Sequence, residues 1–575
     1  MGLIVITDSI KRLEGLVRDD PGSNPENDEW EQLAQKLQVS VAILRSGKEP
    51  IAMQMAKQVE CPILLLSTQR YFMLDAETRE RLFHFVHDET TWERNLVLFD
   101  EKPTFCENVT ITDETLCDIE KTLRMKLSDD FEEKDFVTRG YEDFKKYLQT
   151  VMTDRERIEE TKDIYLFWKD DMRNSLTTND EQFFKVIEEY GPQLRQKYFD
   201  IMKDLRSLQE VARNGAILTS HKKRKANSEY ELSLHLIRDN RDCFFLGKGR
   251  KFFVFDGTAD IDPSYSVDYV EMAGIEKCKS PIALKIISVN TNTSKGNLMQ
   301  MNLRGNKKTD FTDAVKECIK RRTRENEDVL IVTFKDDVCF YEENYSVGYF
   351  GNIKGFNDFR DYTNLAHVGL NRFPDTEYLF LYYGTHPEEY KELSEMGEKK
   401  SMKTLNEAMS YRKDTSELRE AINEIAVKCI LADLEQNIFR VKIRDITNTT
   451  PVTVLIFYEF RNEKSIFPRL KEMIEERYKP YGIQFEYEDC LEELSIKKTK
   501  SRKNPNGKKN YTQRLLEWLE TRKPDTVFTA AEMRKGTGLT ADQIKQARRN
   551  QDIKRLLNMY KMDNRGTYKV CINCT

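Results

Sequence analysis

Two adjacent carboxylates, Asp100 and Glu101, directly follow the apolar run Leu96-Val-Leu-Phe99. A buried parallel strand that ends this way delivers both side chains to the carboxyl edge of its sheet, where open α/β folds bind ligands. One carboxylate of such a pair can hold a divalent cation while its neighbour deprotonates a water. Read plainly, the pair is only an acidic strand end. A second group, Gln436, Arg440 and Arg444, sets an amide and two cations along one run; its plain reading is an exposed amphipathic helix. A third comprises Gln543, Lys545, Arg548 and Arg549 on one expected helix, with Arg565 on the hairpin turn beyond it. Those residue types contact base edges and phosphates. Other chemistries lack their residues. The 575 residues contain no Gly-x-x-x-x-Gly-Lys-[Ser/Thr] phosphate loop: Ser46-Gly47-Lys48-Glu49 and Leu246-Gly247-Lys248-Gly249 lack both the earlier glycine and the hydroxyl. The six histidines form no His-x-x-x-His or His-Glu-x-x-His pattern, Cys571 and Cys574 have no matching second pair, and no nucleophile-elbow motif occurs.

The elements that must position these groups are short and β-branched. Residues 3–7, 41–44, 63–67 and 96–99, then 252–255, 329–333, 367–370 and 452–457, are continuous apolar runs, as strands covered on both faces should be. Helical patterns between them predict an α/β fold with two parallel sheets. Residues 106–245 differ: dense charge with apolar residues at helical spacing, as in Tyr141-Glu-Asp-Phe144-Lys-Lys-Tyr147, predicts a helical insertion that ends in a basic run at 221–225. The polar stretch Lys497-Lys-Thr-Lys-Ser-Arg-Lys-Asn-Pro-Asn-Gly reads as a linker.

Composition narrows the class. Gly and Pro are scarce (24 and 15), and no apolar run approaches the ~18 residues of a membrane span. Eleven scattered cysteines suit free thiols, and no signal peptide is visible, so a soluble cytoplasmic protein without a membrane partner is expected. Charge is uneven. From Lys497 onward there are 20 Lys/Arg against 7 Asp/Glu, a net +13, although the whole chain is −6. A basic module on an acidic body is the footprint of a nucleic-acid-binding appendage.

In chain order these residues resemble the motifs of superfamily-2 helicases of the DEAD/DEAH kind, over residues 1–460. Thr7, Ser9 and Arg12 after the first strand resemble motif Ia. Thr68, Gln69 and Arg70 resemble the next strand-gripping turn. Asp100-Glu101 matches motif II, with Lys102-Pro103 where better-known members carry Ala or His. Asp256-Gly257-Thr258-Ala259-Asp260 resembles motif III, and residues 329–334 look like the opening strand of motif IV. Gly351, Gly355 and Asn357 resemble motif V, and Gln436, Arg440 and Arg444 resemble motif VI. The resemblance implies two RecA-like parallel-sheet lobes using ATP and Mg2+. Asp100 would hold the ion, Glu101 would activate water, Gln436 and the two arginines would attend the nucleotide, and Asp256 and Thr258 would couple hydrolysis to strand movement. Two departures stand out. Asn437 and Phe439 occupy positions where the family has Arg and Gly, and Arg444 falls one residue late. The phosphate loop, which in the family precedes motif Ia, is missing, so the chain is expected to be N-terminally incomplete by one βα unit.

From Asn510 on, helix, helix–turn–helix and a hairpin around Asp563-Asn-Arg565-Gly566 resemble a winged helix. The expected organisation is a first lobe over 1–105 and 246–275, a helical insertion over 106–245, a second lobe over 276–496, a basic linker over 497–510 and a winged helix over 511–575. The expected function is an ATP-dependent DNA helicase or translocase acting on DNA rather than RNA, an ATPase if the phosphate loop comes from upstream or from a partner. Phage or mobile-element replication proteins are the expected company. The alternative is a non-hydrolysing DNA-binding or replication-control protein on the same scaffold.

Overall fold

The computed structural model describes residues 2–7, 39–44 and 51–126, short pieces between 141 and 222, then 230–245, 248–274, 284–298, 307–323, 328–353, 359–410, 416–445, 447–488, 511–522, 526–548, 551–558, 560–562 and 567–570. It divides into two compact units, 1–494 and 495–575.

The first unit holds two parallel sheets. In lobe 1 the strand order is Lys251–Phe255, Leu96–Asp100, Leu3–Thr7, Ile63–Ser67, Val41–Leu44, with every pairing parallel. Ile4, Ile6, Leu64, Leu66, Val97 and Phe99 are fully buried, which explains why these strands read as unbroken apolar runs. Lys251–Phe255 is an edge strand, and Phe253 and Phe255 on its outer side are 48% and 60% exposed. Arg94 locks the adjoining hairpin: fully buried, it donates to the Gln58 side chain at 2.9 Å and to the carbonyls of Gln58, Leu82 and His84.

Lobe 2 is a six-stranded parallel sheet in the order Ser346–Tyr349, Val329–Thr333, Asn364–Val368, Val452–Tyr458, Leu284–Asn290, Gln484–Glu488. The reading at 329–333 and 452–457 agrees with it, whereas the strand expected at 367–370 begins three residues earlier. Leu284–Asn290, which sequence reading passed over, lies inside this sheet. The 22-residue helix Glu417–Ile438 crosses the sheet. Ser416 caps it by accepting from the Arg419 amide, and Arg419, itself buried, pairs with Asp375 at 2.7 Å.

The insertion is not wholly helical. Besides the helix Asp113–Lys126 and further helical residues such as Tyr141, Lys145 and Leu208, its described residues include an antiparallel sheet ordered Cys106–Thr112, Tyr230–Asp239, Ala216–Lys222, Ile164–Trp168. In Tyr230-Glu-Leu-Ser-Leu-His-Leu the leucines recur every second residue, a strand period hidden among the charges. This sheet leans on lobe 2: the His235 ring stacks on Phe380 at 4.3 Å, and the Phe167 amide donates to Ser401 Oγ at 3.2 Å.

The second unit has helices Tyr511–Glu520, Ala530–Thr537, Ala541–Ala547 and Gln551–Asn558. Its antiparallel sheet is ordered Phe528–Thr529, Thr567–Val570, Tyr560–Met562, around a core of Leu515, Trp518, Met533, Ile544 and Tyr568. Helices and a hairpin occur here in the expected order, with a fourth helix and a short first strand that the sequence reading does not separate. The linker 497–510 lies outside the described residues.

Candidate active site

Parallel register places Ser67 and Asp100 on either side of Thr7, and Phe255 on the far side of Asp100. The carboxyl edge of lobe 1 therefore gathers two hydroxyls and a carboxylate in consecutive rungs. At the next residue the backbone turns sharply: Glu101 has φ +103°, and its amide donates to the Phe255 carbonyl at 3.1 Å. A β-carbon is disfavoured in that region at a cost of about 1–3 kcal/mol, and such residues cluster at active sites. Lys102 then turns to Asp262 at 2.7 Å and Ser264 at 3.3 Å. Burial works against the lysine's charge, but the Asp262 carboxylate prevails and holds its pKa above the ordinary value. Burial likewise opposes the Asp262 charge, and Lys102 with the Ser264 hydroxyl and amide pulls its pKa below the usual range.

The motif III-like segment leaves the edge strand as a closed turn. Asp256 accepts from the Thr258 amide and hydroxyl, both at 2.8 Å, and from the Tyr265 hydroxyl at 2.8 Å. Thr258 is thereby fixed and buried. Lobe 2 meets it there: Gln436 Nε2 donates to Thr258 Oγ1 at 3.2 Å. The structure thus joins two groups that lie 178 residues apart in sequence. Arg440, half-buried, and Arg444, exposed, follow the C-terminal end of the Gln436 helix, Arg444 closing the short turn Lys442–Arg444.

The departure at Asn437 has a structural reason. Asn437 is buried, and its side-chain amide donates to His367 Nε2 at 3.1 Å and to Asp433 at 3.2 Å; Asn371 donates to the other Asp433 oxygen at 3.2 Å. His367 Nδ1 donates to the Gly369 carbonyl at 2.7 Å, so the ring is the neutral Nδ1–H tautomer. Burial lowers the His367 pKa, against the opposing pull of Asp433.

Other expected residues fall as follows. Thr7 and Thr68 are buried, Gln69 is exposed, and the half-exposed Arg70 has its amide bound by Ser67 Oγ at 3.1 Å. Ser9, Arg12, Gly355, Asn357, Arg549 and Arg565 lie outside the described residues. In the second unit, Gln543 is partly committed to folding: its side-chain oxygen accepts from the Thr540 amide at 3.0 Å, completing a capping box. Lys545 is exposed, whereas Arg548 is half-buried with its guanidinium 5.3 Å from the Tyr568 ring centroid, and burial lowers its pKa. Among the described residues no three His, Cys, Asp or Glu side chains cluster as a metal cage. A single carboxylate still suits Mg2+, which is commonly held by one or two carboxylates together with substrate phosphates.

Sequence reading missed Arg477 and Glu435. Arg477 sits on the helix Phe467–Tyr478, and its Nε and Nη2 donate to Glu435 at 2.7 and 2.6 Å. Its partners lie 42 and 217 residues away, too far for any local spacing to announce them.

No known protein-family description matches the chain, and no curated protein matches it. No helix among the described residues is long and apolar enough to cross a membrane. Solved structures similar to it include that of S. tokodaii Xpd4, with 12% identity, 84% of this chain and 90% of that chain covered and a TM-score of 0.41; so slight a likeness carries no argument.

Proposed function

We propose that the chain is the two-lobed body and DNA-binding wing of an ATP-dependent helicase or translocase. One observation carries this reading. The strand end bearing Asp100 and the strained Glu101 adjoins the turn Asp256–Asp260, and lobe 2 grips that same turn through Gln436 on Thr258. A cleft so built can sense a nucleotide at the sheet edge and pass its state to the opposite lobe. In this reading Glu101 takes the proton of an attacking water as its oxygen bonds the γ-phosphorus and the β–γ bridging bond breaks, releasing ADP and phosphate. Asp100 would hold Mg2+, which when bound supplies charge neutralisation to the phosphates. Arg440 supplies positive charge from lobe 2, with Arg444 as a more distant candidate. The 575 residues contain no phosphate loop, so turnover requires one from another segment or a partner. The basic winged helix tethers the motor to DNA through Lys545 and its neighbours.

The absent phosphate loop also favours a second reading, a non-hydrolysing DNA-binding or replication-control protein on this scaffold. ATP hydrolysis by the purified chain, alone and with a co-expressed phosphate-loop segment, each with and without single-stranded DNA and with Glu101→Gln as control, separates them. DNA-stimulated turnover lost in the variant supports the motor. DNA binding without turnover, persisting when a phosphate-loop segment encoded beside the gene is co-expressed, favours the second reading.

A further inference from the structure

Among the described residues, Arg477 makes the densest ionic contact between the lobes. Besides its two bonds to Glu435, its guanidinium reaches lobe 1, with Nη2 3.1 Å from Asp260 and Nη1 closer still. Glu435 is buried and immediately precedes Gln436, the residue that touches Thr258. Asp260 is two residues beyond Thr258 in the same turn. The Tyr478 hydroxyl adds a bond to Glu435 at 3.3 Å. Burial opposes the Arg477 charge, but Glu435 and Asp260 together keep it firmly protonated. Only a planar fork with five donors can serve two carboxylates on two lobes in this way; a lysine ammonium offers one point charge on a flexible stem.

We propose that Arg477 is a positioning residue that sets the register between the lobes: by bridging Glu435 to Asp260 it holds Gln436 against Thr258. The inference rests on the motor reading for its purpose but not for its geometry. The bridge lies beside the candidate cleft, so breaking it loosens the Asp256–Asp262 turn before either sheet is disturbed.

The test is amide hydrogen exchange on the full chain, comparing wild type with Arg477→Lys, Asp260→Asn and Asp260→Glu. Exchange at Thr258, Ile261 and Asp262, the last two now bonded to the Thr258 carbonyl at 3.0 and 2.9 Å, is expected to rise about tenfold in the first two variants. In Asp260→Glu, which keeps the carboxylate, it should return toward wild type. The central strand Val452–Tyr458 should be unchanged throughout, which separates a loosened lobe contact from general destabilisation. Wild-type exchange in the turn of both Arg477→Lys and Asp260→Asn overturns the proposal, as does an equal rise in the strand. The readout needs no hydrolysis. A wild-type chain that fails to turn over ATP even with a co-expressed phosphate-loop segment counts against the motor reading and leaves this result to stand or fall alone.

Discussion

The carboxyl ends of the two parallel sheets carry polar groups handled in opposite ways. In lobe 1, Asp100 and Glu101 sit half-exposed at the strand end, and Glu101 is held in a backbone conformation that costs energy. In lobe 2 the strand end at His367 is closed over: Asn437 donates to both His367 and Asp433, and His367 and Asn437 are almost wholly buried. The sheet flanks differ as well, because lobe 1 ends in the edge strand Lys251–Phe255 with Phe253 and Phe255 half-exposed, whereas the outer strand Gln484–Glu488 of lobe 2 is tied down by Arg321 and Arg322 on Glu488 and by Lys285 on Glu486. One sheet end keeps its carboxylates half-exposed to solvent; the other buries its polar groups in a hydrogen-bonded cluster. A parallel sheet does not by itself make a site. What differs is how deeply the polar side chains at the two ends are buried.

The sharpest break in that comparison comes from activity. Glu101→Gln should lower any DNA-stimulated ATP turnover by about 10²–10⁴-fold, the usual contribution of a general base, while the melting temperature holds or rises. A variant that loses stability instead would place Glu101 in a structural role like that of Asn437. Asn437→Ala should do the reverse, destabilising the body by about 1–3 kcal/mol in urea titration because buried His367 Nε2 and Asp433 each lose a donor. Nucleotide chemistry would be touched only through folding. A loss under half a kcal/mol would mean water fills the gap and the lobe 2 strand end is less closed over than its geometry implies.

A smaller effect is expected with pH. The folded-state pKa of His367 lies below its unfolded value, so the unfolded chain binds the extra proton first as pH falls through about 6.5. Stability from this residue is therefore complete above that pH and declines below it, by at most about 1.4 kcal/mol per pH unit. His367→Gln should flatten that slope in chemical denaturation between pH 7 and 5; an unaltered slope would assign the acid sensitivity elsewhere. The smallest effect belongs to the lobe 1 edge. Phe255→Ser should change stability by less than about 0.5 kcal/mol, since the ring is already 60% exposed. A larger loss would show that this edge is covered in solution.

How much of this was legible beforehand depended on how far apart the interacting residues lie. Continuous apolar strands announce themselves within five residues, so the lobe 1 strands at 3–7, 41–44 and 63–67 were read at their observed bounds. Asp100-Glu101 was legible for the same reason, being the end of such a strand. The insertion sheet was hidden because its period-2 pattern in Tyr230–Asp239 is interleaved with charges and its partner strands are far off in sequence. Leu284–Asn290 is a similar apolar run that the reading nevertheless passed over.

The sequence by itself determined the two-lobed α/β plan, the acidic strand end and the basic, capped C-terminal module, because strand burial, helix caps and charge are properties of adjacent residues. Only the tertiary structure decided which distant residue each buried polar group would be bonded to. It turned Lys102 onto Asp262, spent Asn437 on a neutral histidine and part of Gln543 on a helix cap, and drew Arg477 across to Asp260. Those outcomes follow from the desolvation cost of buried polar groups, which must find partners wherever the fold happens to bring them, and chain spacing carries no record of that.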